Sequence, residues 1–144
     1  MQPDIEILIA SPNDAHDIAM LNTLFNGASD SAEAIASRVA DPQRVETVVL
    51  AKKGGITVGF ALVRIVPCVL YATPHAELTE LFVLEEYRQQ GIGRRLVTFV
   101  ETFAVQKGAE SLLVLTGDDN LPALSFYHAN GFEEDDISLR KRVR

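Results

Sequence analysis

Leu81 to Leu96 reads LFVLEEYRQQGIGRRL. Leu81, Phe82 and Val83 have the look of a strand, acidic and polar residues follow, and after Arg88-Gln89-Gln90-Gly91-Ile92-Gly93 the apolar residues resume at helical spacing. Glycines between a strand and a helix let the backbone approach a ligand without side-chain obstruction. The first N–H groups of the following helix have no intrahelical partner and carry a partial positive charge. The stretch therefore predicts a seat for a phosphate. Residue order narrows the ligand. The third glycine of a Gly-x-Gly-x-x-Gly dinucleotide fingerprint is missing, and no Gly-Lys-Ser/Thr of a nucleoside-triphosphate loop is present.

At 144 residues, the chain has the length of one domain able to bury a core without staples, so a single domain over residues 1–144 is expected. With 47% hydrophobic and 23% charged residues, the composition favours neither disorder nor a membrane class. No apolar run is long enough to span a bilayer, and the start MQPDIEILIA lacks the pattern of a leader, so a cytoplasmic protein with no membrane partner is expected. The one cysteine, Cys68, cannot form an internal disulfide, and the histidines His16, His75 and His128 are scattered, so no metal site is expected. A net charge of −7 disfavours nucleic acid and suits a cationic acceptor such as an amine.

Along the chain, Ile5 to Ala10 reads as a strand and Ser11-Pro12-Asn13-Asp14 as a turn capping a helix over Ala15 to Phe25. A second, short helix is expected from Ser31 to Ala40, closed by Asp41-Pro42. Val45 to Ala51 and Thr57 to Val66 are β-branched apolar runs whose Gly54-Gly55 link is hairpin chemistry. Pro67 ends the second run, and Ala76 to Val83 follows as a strand. Ile92, Leu96, Phe99, Val100 and Phe103 predict a helix of about four turns that Gly108 stops. Ser111 to Leu115 reads as a central strand. Asn120 and Pro122 open a last helix ending at Asn130-Gly131, and Phe132 to Val143 is a final strand candidate.

A second motif lies in that last helix: Asn120, then Ala123, then Phe126-Tyr127, then Gly131-Phe132. Together with Arg88-x-x-Gly91-x-Gly93, it resembles the GCN5-related N-acetyltransferase (GNAT) superfamily, whose pyrophosphate loop reads Gln/Arg-x-x-Gly-x-Gly/Ala and whose ligand is acetyl-coenzyme A. The element order β, α, α, β, β, β, α, β, α, β is also that of the superfamily. The resemblance implies an α+β fold with a mixed, mostly antiparallel central sheet flanked by helices, and an acetyl group moved from acetyl-CoA, with no metal, to a primary amine. It further implies an acceptor groove beside the N-terminal helices.

The resemblance assigns roles as well. Coenzyme contacts are expected from Leu81, Phe82, Val83, Arg88, Gln89, Gln90, Gly91, Ile92, Gly93, Arg94, Asn120 and Tyr127, with Arg95 either adding charge or pairing with nearby glutamates. Tyr127 matches the tyrosine that points its hydroxyl at the coenzyme sulfur, and a phenol there can protonate the leaving thiolate. Glu77 and Glu80 are both candidates for the group that accepts the amine proton, and each can equally be a solvated or paired strand residue. Their odd separation puts them on opposite faces of a regular strand, and a bulge near Glu80 would realign them. A backbone N–H near Phe82 or Val83 is expected to polarise the carbonyl. With Cys68 far from both motifs, direct attack in a ternary complex is favoured over a covalent acyl-enzyme. The acceptor is expected to be a small-molecule amine, with a polyamine-like one as a candidate; a protein or peptide amine, and a non-catalytic acetyl-CoA sensor, are the alternatives. Oligomeric state stays open, with a homodimer as one candidate.

Overall fold

The structure is a computed structural model that describes residues 4–144. The chain divides into two compact units, one ending at Leu113 and one beginning at Val114. In the first unit, strand β1 (Ile5–Ile9) and a 3-10 turn lead into helices α1 (Ala15–Asn26) and α2 (Ala32–Ala40). Strands β2 (Glu46–Lys53), β3 (Ile56–Val66) and β4 (His75–Val83) follow, then a 3-10 turn over Glu85–Tyr87 and helix α3 (Ile92–Gln106). Strand β5 (Leu113–Val114) follows, and the sheet order is β1-β2-β3-β4-β5. The first four strands pair antiparallel. Among the described residues, no helix is long and apolar enough to cross a membrane.

Local chemistry sets these boundaries. Gly54 and Gly55 have φ of 58° and 81°, so a two-residue link with positive φ at both centres joins β2 to β3 and Lys53 pairs Ile56. Ser31 caps α2 through its hydroxyl, which accepts the Ala34 N–H at 3.1 Å. Asp14 precedes α1, but its carboxylate turns back to the Ser11 N–H at 2.8 Å and to Lys52 Nζ at 3.0 Å. Asp17 of α1 accepts the Thr57 hydroxyl at 2.9 Å, so two carboxylates tie the start of α1 to β2 and β3.

The sheet is covered on both faces, which explains why Val49-Leu50-Ala51 is fully buried as a continuous run. Ile18 and Leu21 of α1 close over Leu50 and Phe60 with Leu8, Ile35, Val48 and Phe82 around them. Alternation sends Val49, Ala61 and Val63 to the opposite face, where α3, in contact with β1 to β4, buries Ile92, Leu96, Val97, Val100 and Ala104.

The second unit contains α4 (Leu121–Ala129) and then a segment without regular structure. The strand expected over Phe132 to Val143 does not form. Four consecutive acidic residues, Glu133-Glu134-Asp135-Asp136, open it, and like charges with low strand propensity oppose pairing there. Beyond them Ile137, Leu139 and Val143 are each more than 85% exposed. The strand expected over Ser111 to Leu115 shortens to Leu113–Val114.

Candidate active site

Between β4 and α3 the backbone takes the form expected of an anion seat. Gln89 has φ of 65° and Gly91 of 80°, two left-handed residues that swing the chain into the helix. The first bond of the α3 ladder is from the Arg95 N–H to the Gly91 carbonyl at 3.1 Å. The amides of Ile92, Gly93 and Arg94 therefore precede the ladder at the positive end of a 15-residue helix. Arg94 and Arg95 are exposed beside them. These residues fit a diphosphate: donors, positive charge, and a glycine where a side chain would be strained.

Arg88 behaves otherwise. Its Nε donates to the Val83 carbonyl at 2.9 Å and its guanidinium lies 5.7 Å from the centre of the Phe82 ring, so the side chain folds back and closes the end of β4. A cation that sequence reasoning did not find stands at the loop instead. Lys53, at the end of β2, donates to Gln90 Oε1 at 2.9 Å and approaches the Tyr87 ring at 5.8 Å.

Strand β4 carries the expected bulge. Leu62 faces Glu80 and Val63 faces Leu78, so Thr79 is an extra residue, and its hydroxyl donates to the Leu62 carbonyl at 3.2 Å. Glu77 faces Arg64, and since Leu62 and Arg64 share a face, Glu77 and Glu80 share it too. Their surroundings differ. Glu77 lies 3.6 Å from His75 and is in register with Arg64, which pairs with Glu46 at 3.4 Å. Glu80 is half-buried, and the side-chain amide of Asn26 donates to its Oε2 at 3.5 Å. Further along, Phe82 stacks on Phe25 of α1 at 4.9 Å between ring centres. Across from Val83 stands Gly59, and a Cβ there would come within 2.8 Å of the Phe82 carbonyl oxygen. The last strand in the sheet order, β5, is two residues long beside a β4 of nine, so among the described residues most of that edge of β4 has no strand neighbour.

In the second unit, Asn120 caps α4, its Oδ1 accepting the Ala123 N–H at 3.3 Å, with Pro122 in the first turn. The other end of α4 is closed by two bonds: Phe132 N–H to the Tyr127 carbonyl at 3.0 Å and Gly131 N–H to the His128 carbonyl at 3.1 Å, with Gly131 at φ of 90°. This is a Schellman termination, and its usual apolar contact is the edge-on packing of Phe132 against Tyr127 at 5.4 Å. Phe126 also packs edge-on against the Tyr127 ring at the same 5.4 Å. The spacing Phe-Tyr-x-x-x-Gly-Phe thus has a physical reason: the glycine stops the helix and both phenylalanines pack against the tyrosine ring.

A family model described as Acetyltransferase (GNAT) family matches residues 13–132. The chain belongs to the GNAT acetyltransferase family. It is therefore an acetyl-CoA-dependent N-acetyltransferase with the α+β fold of that family. An uncharacterized N-acetyltransferase, YhfO, of Bacillus subtilis (strain 168) is 33% identical over 138 residues, 88% of each chain. An aminoglycoside N(6')-acetyltransferase type 1 of Salmonella typhimurium is 32% identical over 73 residues, about half of each chain at 49% and 50%. Among solved structures, aminoglycoside N-acetyltransferase AAC(6')-Iy in complex with CoA superposes with a TM-score of 0.86 at 22% identity, covering 99% of this chain and 96% of that one.

Within this acetyltransferase the loop from Gln89 to Arg94 and the realigned Glu77 and Glu80 lie in the first unit, and Asn120 and Tyr127 in the second. Asn26 and Lys53 had no signal in the sequence. Asn26 lies 54 residues from Glu80 and Lys53 lies 37 from Gln90, so only the folded sheet brings them together.

Proposed function

We propose that this acetyltransferase moves the acetyl group of acetyl-CoA to a primary amine of a small, cationic acceptor. The observation that carries the proposal is the run of main-chain donors from Gln89 to Arg94, set by two left-handed residues at the head of α3. Acetyl-CoA supplies the acetyl thioester, and the backbone amides of Gln89, Gln90, Gly91, Ile92, Gly93 and Arg94 hold its diphosphate, with Lys53 and Arg94 adding charge. Leu81, Phe82 and Val83 offer main-chain groups to the pantetheine arm in the manner of an added strand, and a donor there steadies the negative charge that develops on the carbonyl oxygen. Arg88 serves from behind, bracing the end of β4.

Amines are mostly protonated at neutral pH, so the acceptor must lose a proton before it attacks. Glu80 takes that proton, directly or through water. Its partner is a neutral amide, whereas Glu77 already stands beside His75 and opposite Arg64. Attack is direct, and Tyr127 protonates the departing thiolate while Asn120 offers its amide N–H groups to the pantetheine arm. A protein containing −7 net charge suits a cationic acceptor, and the Salmonella typhimurium relative, an aminoglycoside N(6')-acetyltransferase type 1, acts on such a molecule.

The test has two arms. Calorimetry of the folded protein with CoA is expected to detect uptake, and absence of heat removes the proposal. Thiol release from acetyl-CoA against polyamines, aminoglycosides, amino acids and peptides then identifies the acceptor class. Tyr127→Phe should lower turnover by a factor of about 10² or more with CoA affinity retained. A protein that only senses acetyl-CoA has no turnover to lose.

A further inference from the structure

We propose that Asn26 is a positioning residue that holds the Glu80 carboxylate in place through a hydrogen-bonded chain running along α1. The chain begins at Ser29, whose hydroxyl accepts from Asn22 Nδ2 at 3.0 Å. Asn22 Oδ1 in turn accepts from Asn26 Nδ2 at 2.7 Å, and the same Nδ2 donates to Glu80 Oε2 at 3.5 Å. An amide nitrogen carries two protons, and here each has one acceptor. The short bond to Asn22 fixes which way the Asn26 amide faces, so its second proton is aimed at the carboxylate.

Backbone chemistry sets Asn26 where this is possible. It is the last residue of α1, and Gly27, at φ of 84°, ends the helix with its N–H on the Thr23 carbonyl at 2.9 Å. One turn back, Asn22 presents its side chain on the same face. On the strand side, Glu80 stands opposite Leu62, in the same frame as the Phe60 and Phe82 pair, on the face that α1 covers. At 3.5 Å the bond to Glu80 is long, as bonds to a proton-accepting group often are before substrate is bound. A donor fixed from behind leaves the other carboxylate oxygen to face the amine.

This inference rests on Glu80 being the proton acceptor, so the experiment separates the two ideas. Thiol release from acetyl-CoA is measured with spermidine and with sisomicin for wild type, Asn26→Ala, Asn26→Gln, Glu80→Gln and the double variant Asn26→Ala/Glu80→Gln. Asn26→Ala is expected to lower kcat about tenfold with the KM for acetyl-CoA little changed, the loss of one bond to a charged group. Asn26→Gln keeps the donor and should restore most of it. In the Glu80→Gln background, Asn26→Ala should add less than about twofold, because a residue acting through another has nothing left to act on. Equal losses in both backgrounds, or no loss on Asn26→Ala while Glu80→Gln is impaired, would overturn the chain and leave Glu80 standing. A Glu80→Gln variant as active as wild type removes the parent reading and this one with it. Independently of turnover, the Asn26 side-chain amide resonances should move on Glu80→Gln; resonances that stay put refute the contact.

Discussion

Gly59 and Gly117 make a matched pair in which one distance has two outcomes. A Cβ built on Gly59 would stand 2.8 Å from the Phe82 carbonyl oxygen and 3.3 and 3.4 Å from two Val83 atoms. A Cβ on Gly117 would also meet an oxygen at 2.8 Å, the Oδ1 of Asp119. Carbon–oxygen approaches in sheets lie at about 3.3 Å or more, so either alanine needs roughly 0.5 Å of room. At Gly59 the obstacle is main chain in the middle of paired strands, and β4 must move. Overpacking of this kind costs about 1–3 kcal/mol. Replacing glycine removes freedom from the unfolded chain and returns about 0.4–1 kcal/mol. The net loss is about 1–2 kcal/mol, and with a urea slope of about 2 kcal/mol/M the midpoint for Gly59→Ala falls by about 0.5–1 M. At Gly117 the obstacle is the end of an exposed side chain that can rotate away, so Gly117→Ala should match or slightly exceed wild type. Urea unfolding followed by far-UV circular dichroism at pH 7 decides it. A Gly59→Ala midpoint within about 0.2 M of wild type, or an equal fall for Gly117→Ala, refutes the reasoning.

Three further outcomes follow from the structure. Burial by itself would raise the Asp14 carboxyl, but the Ser11 main-chain N–H and the Lys52 ammonium outweigh it and hold the group below the usual aspartate range. A carboxyl depressed in this way stabilises the fold above its unfolded value and loses that contribution as pH falls through its folded one. Wild type should therefore exceed Asp14→Asn in urea midpoint at pH 7, and the gap should close below about pH 4. Gly131→Ala forces a Cβ onto a φ of 90° at the end of α4 and should cost about 1–2 kcal/mol, read as faster amide exchange at Asn130 to Phe132. Lys53→Ala removes the cation bonded to Gln90 and should weaken CoA binding several-fold in calorimetry, with the loss shrinking as salt rises.

Much of the fold was legible because the signals are local. Gly54-Gly55 marked the hairpin, Ser31 the start of α2, Asn120 with Pro122 the start of α4, and the periodicity after Gly93 the course of α3. The form of the loop from Gln89 to Arg94 was legible for the same reason, since its glycine and its helix head are adjacent in sequence. The bulge that unites Glu77 and Glu80 was inferable only from the awkwardness of two carboxylates on opposite faces, and the register bears it out. What failed was the last strand. Alternating Ile137, Leu139 and Val143 carry a strand period, but a period does not supply a neighbour to pair with, and the acidic run before them works against one. Asn26 and Lys53 were invisible because each depends on a partner tens of residues away, and the fold-back of Arg88 because it depends on the shape of the turn that separates it from Val83, five residues earlier.

The extra residue at Thr79 gives β4 two frames. Residues before it and residues after it obey opposite odd–even rules, so the sidedness of His75 and Glu77 depends on a count rather than on their identities. Taking Thr79 into regular pairing, with no residue lost, would send both side chains through to the α3 layer without altering either, while leaving Glu80 and Phe82 as they are. The bulge is thus a variable by which this strand can be rewired, and descendants that lose or move it could present a different set of charges to the same coenzyme.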